Sequence, residues 1–373
     1  MQPERHSFGS GLGNPAVRPI HLASQTSPGS EAKLPGDTRL RIVQLQAECG
    51  DRRIVLRLCS GEGVTESCEC SCIASLVQAQ ELFRLLLQMI QIGSFGYPPQ
   101  LDPRLTFETC IGGMRDAALQ QRFQLATPLI TQASVDYELA ANSNLLHTIP
   151  SGNGVGPVSC KEMSKLYDSR MVPMNSPGRA TYDLLLSAPR HGICPLCGVR
   201  TVSTLDHHLP KAHYPAYTVN PLNLVAACQD CNKAKLNKIP TTSSEETLHP
   251  YFDNIDNERW LMAEVLNTAP AALKFFVEGP TNWSPILASR VQYEFEMLRH
   301  GKSYPLYAAS ELASIRSGLM KLSAAGGQAA VRNQLTERAE SCKADRLNSW
   351  RTAMYESLAF SDWFCGGGFQ ATG

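Results

Sequence analysis

Two short cysteine motifs constrain the fold of this chain more than any other feature. Cys194-Pro-Leu-Cys197 is followed, after thirty intervening residues, by Cys228-Gln-Asp-Cys231. Each motif places two sulfurs on one tight turn, and the two turns together complete a tetrahedral four-thiolate site of the kind that holds Zn²⁺. Because four cysteines leave no open position for water, we predict that this zinc ion is structural.

The cysteine count and the N-terminus bear on the cellular compartment. The chain has 13 cysteines, and its first 35 residues are rich in Gly, Pro and Ser, unlike the apolar segment of a secretory signal. We therefore expect a cytoplasmic protein, because clustered cysteines in reducing surroundings more often hold metal than form disulfides. No run approaches the ~18 apolar residues of a membrane span, so we expect no membrane partner.

The segment between and just after the two cysteine motifs carries side chains that a structural zinc site does not need. They comprise Asp206-His207-His208-Leu209-Pro210, then Asn223-Leu224-Val225, and finally Asn232 and Lys235 after Cys231. In order, spacing and residue type this arrangement resembles the HNH endonuclease family, whose pattern is CxxC, D-H-x-x-P, N-L and C-x-x-C-N-x-x-K. The resemblance covers roughly residues 190–240. The flanking Arg179-x-x-Tyr182 and Thr247-Leu-His-Pro-Tyr251 are similar to a zinc-containing bacterial subgroup of that family.

The resemblance implies an α+β fold with a ββα-metal core, in which a two-stranded hairpin and a helix surround one catalytic divalent ion. By position, Asp206 is implied as a metal ligand and His207 as the general base. Asn223 would orient His207 from the connecting loop, and Asn232 would offer its carboxamide oxygen to the ion from the first turn of the helix. This second metal is expected to be Mg²⁺ or Mn²⁺, because oxygen ligands suit these ions whereas thiolates suit zinc.

Phosphodiester hydrolysis explains why such residue types would be needed. A neutral imidazole with a pKa near ~6.5 can accept the proton of the attacking water at neutral pH. A divalent ion can neutralise the charge that develops on the phosphoryl oxygens and on the leaving 3′ oxygen.

The adjacent His208 leaves an alternative open for the base. Some members of the family carry two adjacent histidines, of which the first binds metal and the second is the base. We favour His207, because Pro210 falls three residues after it as D-H-x-x-P requires. His208 would then be a supporting residue of the catalytic site or an additional ligand. His249 also lies near the motif in sequence, and we expect it to be structural.

Charge is distributed unevenly along the chain. Lys and Arg total 34, as do Asp and Glu, so the formal net charge is zero and a protein that coats nucleic acid over its whole surface is excluded. Residues 190–240, however, carry a net charge of +4, from Arg190, Arg200, Lys211, Lys233, Lys235 and Lys238 against Asp206 and Asp230. We predict that Lys211, Lys233 and Lys235 contact substrate phosphates.

The pattern of the chain predicts four regions. Residues 1–37 form a disordered arm, 38–158 an α+β region, 159–255 the HNH nuclease domain and 256–373 a mainly helical region. The boundary near 158 is placed at the Gly-rich Gly152–Pro157, which favours a linker. Local patterns predict a hairpin over Arg39–Gln46 and Arg53–Cys59 and an amphipathic helix around Leu82–Ile90. They also predict a helix over 113–147 that is broken near Pro128, and helices over Lys161–Met171 and Arg179–Ser187. Gly366–Gly368 indicates a loose tail, and Val291–Met297 fits either a strand or a helix.

Together these features predict a metal-dependent endonuclease that cuts nucleic acid, with DNA as the favoured substrate. The alternative is a non-catalytic zinc module that only docks nucleic acid or a partner protein. A further interpretation is an effector of bacterial defence against phage, held in check by a regulatory subunit such as an ATPase.

Overall fold

A computed structural model describes the backbone of three N-terminal strands and then residues 101–371. The chain divides into two compact units, Met1–Leu86 and Leu87–Gly373. In the first unit β1 (Leu40–Ala47), β2 (Ile54–Ser60) and β3 (Gly63–Cys70) form an antiparallel sheet in that order. The predicted hairpin is confirmed as β1 and β2, whereas the predicted arm over 1–37 and the helix around Leu82–Ile90 lie outside the described residues.

The second unit begins with two helices, α1 (Pro103–Ile111) and α2 (Ala117–Asn142). The prediction of a break near Pro128 is wrong, because α2 continues through that residue for 26 residues in all. Proline removes one backbone hydrogen bond from a helix interior. The buried face of α2 offsets that loss by packing apolar side chains on both sides of the proline, among them Phe123, Ile130 and Tyr137.

A tight hairpin stands where the Gly-rich linker was predicted. β4 (Gly154–Val155) pairs with β5 (Val158–Ser159), and Gly156 in the turn has φ +54°, which glycine adopts without strain. Residues on the two sides of the hairpin are in contact, since Arg122 of α2 forms an ion pair with Glu162. Residues on both sides therefore belong to one compact unit, and the structure has no break between units at residue 158.

The helices predicted next in the chain are confirmed. α3 (Cys160–Arg170) begins with a capping box, in which the Ser159 hydroxyl accepts from the Glu162 backbone and the Glu162 carboxylate accepts from the Ser159 backbone. α4 (Arg179–Ser187) follows.

A second hairpin and a short helix follow, in the order two strands and then helix. β6 (Thr204–His207) and β7 (Leu224–Ala227) are antiparallel, with Asp206 opposite Val225. α5 (Gln229–Lys235) starts directly after β7. The second unit thus combines helices with small sheets, as the predicted α+β class requires.

The C-terminal part of the chain is mainly helical, as predicted, but it also contains an antiparallel hairpin of β8 (Leu261–Leu266) and β9 (Ala272–Val277). The helices are α6 (Pro285–Met297), α7 (His300–Asp345), α8 (Trp350–Phe360) and α9 (Asp362–Cys365). α6 settles residues 291–297 as helix. No helix among the described residues is both long enough and apolar enough to cross a membrane.

Helix α7 folds back on itself at Gly327, which has φ +65°. The Tyr355 hydroxyl donates to Glu311, and the same ring lies 5.9 Å from the Arg338 guanidinium. In a straight helix residues 311 and 338 would be ~40 Å apart, so α7 consists of two packed arms. Phe369, next to Gly366–Gly368, is fully buried in this core, so the prediction of a loose tail at these glycines is wrong.

Candidate functional site

The four cysteines of the two motifs converge on one point. Their sulfur atoms all lie within 4.8 Å of one another and all four residues are buried. A tetrahedral zinc site with ~2.3 Å bonds needs sulfurs roughly 3.8 Å apart, and the Sγ atoms of Cys197 and Cys228 are 4.0 Å apart. The cluster is positioned to bind a metal ion and is consistent with structural zinc.

Local backbone geometry builds the first cysteine turn. The Cys194 N–H donates to the Arg200 carbonyl and the Gly198 N–H donates to the Cys194 carbonyl, each at 2.8 Å. Gly198 has φ +63°, and a Cβ there would collide with Arg346. The positive φ explains the glycine directly after Cys197, because the Arg346 atoms that a Cβ would meet are the end of a flexible side chain that can shift.

The C-terminal helices hold this turn in place. His300 Nε2 donates to the Leu196 carbonyl at 3.0 Å, and the Tyr304 hydroxyl donates to the Cys197 carbonyl at 3.1 Å. The two rings stack with centroids 4.8 Å apart. The region beyond residue 256 thus supports the cysteine cluster directly, which sequence reasoning did not predict.

His207 stands at the end of β6 and is partly exposed. Its Nε2 lies 2.8 Å from the Thr218 carbonyl oxygen. Because a carbonyl only accepts, Nε2 carries the proton and Nδ1 has the lone pair. The ring packs edge-on against Tyr167 at 4.6 Å. Burial lowers the pKa of His207 to about 3, with the nearby Lys211 and Lys235 charges acting in the same direction, so the ring is neutral at pH 7.

Asn223 does not contact His207, so the direct orienting role predicted for it is not what the structure shows. Its carboxamide is fully buried and makes four hydrogen bonds. Oδ1 accepts from the Leu209 N–H (2.7 Å) and the Tyr137 hydroxyl (3.1 Å), while Nδ2 donates to the carbonyls of Leu209 (3.0 Å) and Tyr217 (3.2 Å). Asn223 therefore acts on His207 indirectly, by fixing the loop next to Thr218.

His208 is buried against His249, with ring centroids 4.2 Å apart. His249 is structural, as expected: Nδ1 accepts from the Tyr251 N–H at 3.2 Å, and Nε2 donates to the Leu222 carbonyl at 3.0 Å. Burial lowers the pKa of both histidines. Since His208 is shut off from solvent and His207 is not, the geometry favours His207 as the group that meets water.

Asp206 is buried and holds an ion pair instead of facing solvent. Its Oδ2 accepts from the Lys235 ammonium at 2.8 Å, and that ammonium also donates to the carbonyls of His207 (2.6 Å) and His208 (2.7 Å). Burial raises the pKa of Asp206, and Lys235 opposes that rise. Lys235 is itself buried, so its predicted contact with substrate phosphates is wrong: all three of its protons bind protein oxygens.

The remaining predicted residues lie at or near the surface. Asn232 is half-buried on α5, three positions before Lys235 and so on the same helix face. Lys211 pairs with Asp168 at 2.5 Å and lies 4.7 Å from the Tyr167 ring, beside His207. Lys233 is exposed. In the described part of the chain the four cysteines are the one group of three or more His, Cys, Asp or Glu side chains placed to hold a metal.

Two contributors to the site escaped sequence reasoning. The Thr218 carbonyl orients His207, and a backbone oxygen has no signature in a sequence. Tyr167 packs on His207 from α3, outside the segment that carries the motif. The one sequence signal available for Tyr167 is its position in a predicted helix shortly before the motif.

Comparison with known proteins adds one likeness. The chain is similar to protein ea31 of Escherichia phage lambda, with 29% identity over 278 residues that cover 68% of this chain and 93% of that protein. No protein-family model matches the chain, and no solved structure matches it. The likeness therefore extends over nearly all of the phage protein and over most of this chain.

Proposed function

We propose that this protein is a metal-dependent endonuclease of the HNH type that hydrolyses phosphodiester bonds in DNA. The observation that carries the proposal is the state of His207: a neutral, partly exposed imidazole whose Nε2 is held by the Thr218 carbonyl. It stands on the first strand of a hairpin that leads into α5, which carries Asn232. A purely structural zinc module needs no such imidazole.

The chemistry follows from which nitrogen is free. Nδ1 of His207 accepts a proton from a water molecule while the water oxygen attacks phosphorus, and the bond from phosphorus to the 3′ oxygen breaks. The Thr218 carbonyl keeps the neutral ring in the Nε2–H tautomer before the step and still accepts from Nε2–H once Nδ1 is protonated. The low pKa leaves Nδ1 unprotonated far below pH 7. A phosphate bound beside the ring would raise that pKa, because a negative charge favours the imidazolium.

The oxygen donors proposed for a hard divalent ion are the Asp206 carboxylate, which is buried and paired with Lys235, and the amide oxygen of Asn232 on α5. A bound Mg²⁺ or Mn²⁺ would supply Lewis-acid stabilisation of the charge on the phosphoryl and leaving oxygens.

The surface beside His207 suits a polyanion. Lys211 lies next to the ring, and Lys233 projects from α5 into solvent. These lysines would meet the phosphate backbone, which positions a substrate without reading its sequence. The role in phage defence and the regulatory ATPase remain predictions of the sequence.

Two alanine variants test the assignment of the base. His207→Ala should slow plasmid cleavage by ~10²-fold or more while DNA binding persists, because the lysines and the cysteine cluster remain. His208→Ala should retain far more activity, since its ring only packs inside the protein. If His208→Ala is inactive and His207→Ala cuts DNA as fast as the parent, the base has been assigned to the wrong histidine.

A further inference from the structure

The buried ammonium of Lys235 donates to three consecutive residues of the proposed site. We propose that Lys235 is a positioning residue, whose ammonium holds the three consecutive residues Asp206, His207 and His208 in the arrangement that the divalent ion and the base require. This inference rests on the proposed function, because it concerns the same ion and the same base.

The hydrogen bonds of Lys235 are fully used. Its side chain is 5% exposed, and its three protons have three acceptors at 2.6–2.8 Å: the Asp206 carboxylate and the carbonyls of His207 and His208. An ammonium away from water is tolerated only when it is paired and hydrogen-bonded in this way. No proton is left for a phosphate, so Lys235 acts on the substrate only through its neighbours.

Each of the three contacts fixes a different part of the site. The contact to Asp206 binds one carboxylate oxygen and so sets the direction of the other. The contact to the His207 carbonyl anchors the backbone of the base, whose ring is anchored separately by Thr218. The contact to the His208 carbonyl holds the chain where β6 ends.

Helix α5 connects this arrangement to the cysteine cluster. Cys228 is the N-cap of α5 and Cys231 lies within it, while Lys235 follows Cys231 by four residues, which is about one helical turn. Asn232 lies between them on the same short helix. A metal held by the four cysteines would therefore fix the helix that carries both an ion ligand and the lysine that orients the other ligand.

Divalent-ion affinity tests this role apart from catalysis. In a His207→Ala background with a short DNA duplex, Mn²⁺ binding is followed by the loss of the free-Mn²⁺ EPR signal. Lys235→Met keeps an unbranched side chain as far as Cε and removes the ammonium, so Mn²⁺ affinity should fall by ~10–100-fold, as when an outer partner of a metal ligand is lost. Lys321→Met is the matched control. Lys321 is exposed on α7 and lies 21 positions after His300, the residue of that helix that contacts the cysteine turn. Its replacement should leave the Mn²⁺ affinity unchanged.

The outcomes are distinct. Unchanged or tighter Mn²⁺ binding by Lys235→Met that still contains zinc overturns the positioning role; tighter binding would mean that the ammonium competes with the ion. If Lys235→Met loses its zinc and unfolds, the parent protein is measured by NMR instead. A buried ammonium with three acceptors gives a slowly exchanging ¹H–¹⁵N signal, and the absence of that signal from the parent protein overturns the proposal. If the background protein binds no Mn²⁺ and the wild type cuts no DNA, the proposed function fails, while the ammonium signal still reports on Lys235 alone.

Discussion

Replacing Asn223 by alanine should destabilise the protein strongly, and the structure shows which groups cause the loss. Of the four partners of the carboxamide, the Tyr137 hydroxyl loses its acceptor but still accepts from the His249 Nε2–H at 3.1 Å, and the Tyr217 carbonyl still accepts from the Asn220 N–H. The N–H and the carbonyl of Leu209 have no such second partner, and Leu209 is 1% exposed. Two buried backbone groups are therefore left unsatisfied in Asn223→Ala.

The magnitude follows from those two groups. A buried polar group without a partner costs ~1–3 kcal/mol, so the two together cost ~2–6 kcal/mol, and we expect the free energy of unfolding to fall by about 4 kcal/mol. Asn142→Ala is the matched control, because the exposed Asn142 only donates to the Glu138 carbonyl at 2.8 Å. That control should change the free energy of unfolding by no more than ~0.5 kcal/mol.

Equilibrium unfolding in urea, followed by fluorescence at a fixed zinc concentration, measures both variants. The expected result is a lower midpoint for Asn223→Ala with an unchanged slope. DNA cleavage by the folded fraction should also fall, since the Tyr217–Thr218 loop that holds His207 loses its anchor. A loss below ~1 kcal/mol, or one equal to that of Asn142→Ala, would refute the reasoning that Asn223 satisfies otherwise orphaned groups.

Two other predictions concern the histidines and the cysteines. Burial lowers the pKa of His249 to about 3 and that of His300 to about 4, whereas both should titrate near ~6.5 when unfolded. Below pH ~6.5 the unfolded chain therefore binds more protons than the folded chain. As the pH falls, each histidine should lower the free energy of unfolding by about 1.4 kcal/mol per pH unit, down to its folded pKa. Urea midpoints that stay constant between neutral and mildly acid pH would contradict this. Cys228→Ser should lose the bound zinc and melt at a lower temperature, because metal binding and folding are coupled, whereas Cys342→Ser, outside the cluster, should keep one zinc per chain by elemental analysis.

The parts of the site that could be predicted from sequence are those with local, chemically specific patterns. Two CxxC motifs need nothing beyond a turn each to present their sulfurs, so the spacing alone predicted the cluster that Cys194 and Cys228 now form. The order of the hairpin and α5 was implied by the resemblance to the HNH family and not by a local strand pattern.

The roles of Lys235 and Asn223 could not be predicted from the sequence, because they depend on which groups the fold buries. A lysine three residues after Asn232 is typical of a phosphate contact. In the structure, however, Lys235 is buried against Asp206, where its ammonium needs a partner inside the protein. Residue type does not distinguish a solvated lysine from a buried one. For the same reason the link from Asn223 to His207, which passes through backbone oxygens of the 217–218 loop, could not be read from the sequence.

The boundary predicted near residue 158 coincides with a hairpin for a related reason. Gly152–Pro157 has the composition of a linker, but glycine is also the residue that a tight hairpin needs at Gly156. Contacts far apart in sequence decide between the two, such as the Tyr137 hydroxyl of α2 reaching Asn223. Local patterns carry no information about such contacts.

The most direct test of the central claim is the rate at which zinc-loaded wild-type protein nicks supercoiled plasmid DNA with Mg²⁺ or Mn²⁺. We predict nicking that stops in EDTA, resumes when Mg²⁺ or Mn²⁺ is restored after chelation too brief to remove the zinc, and falls by ~10²-fold or more in His207→Ala. Intact plasmid with either ion, in a preparation that contains one zinc per chain, would contradict the claim that this protein is a nuclease.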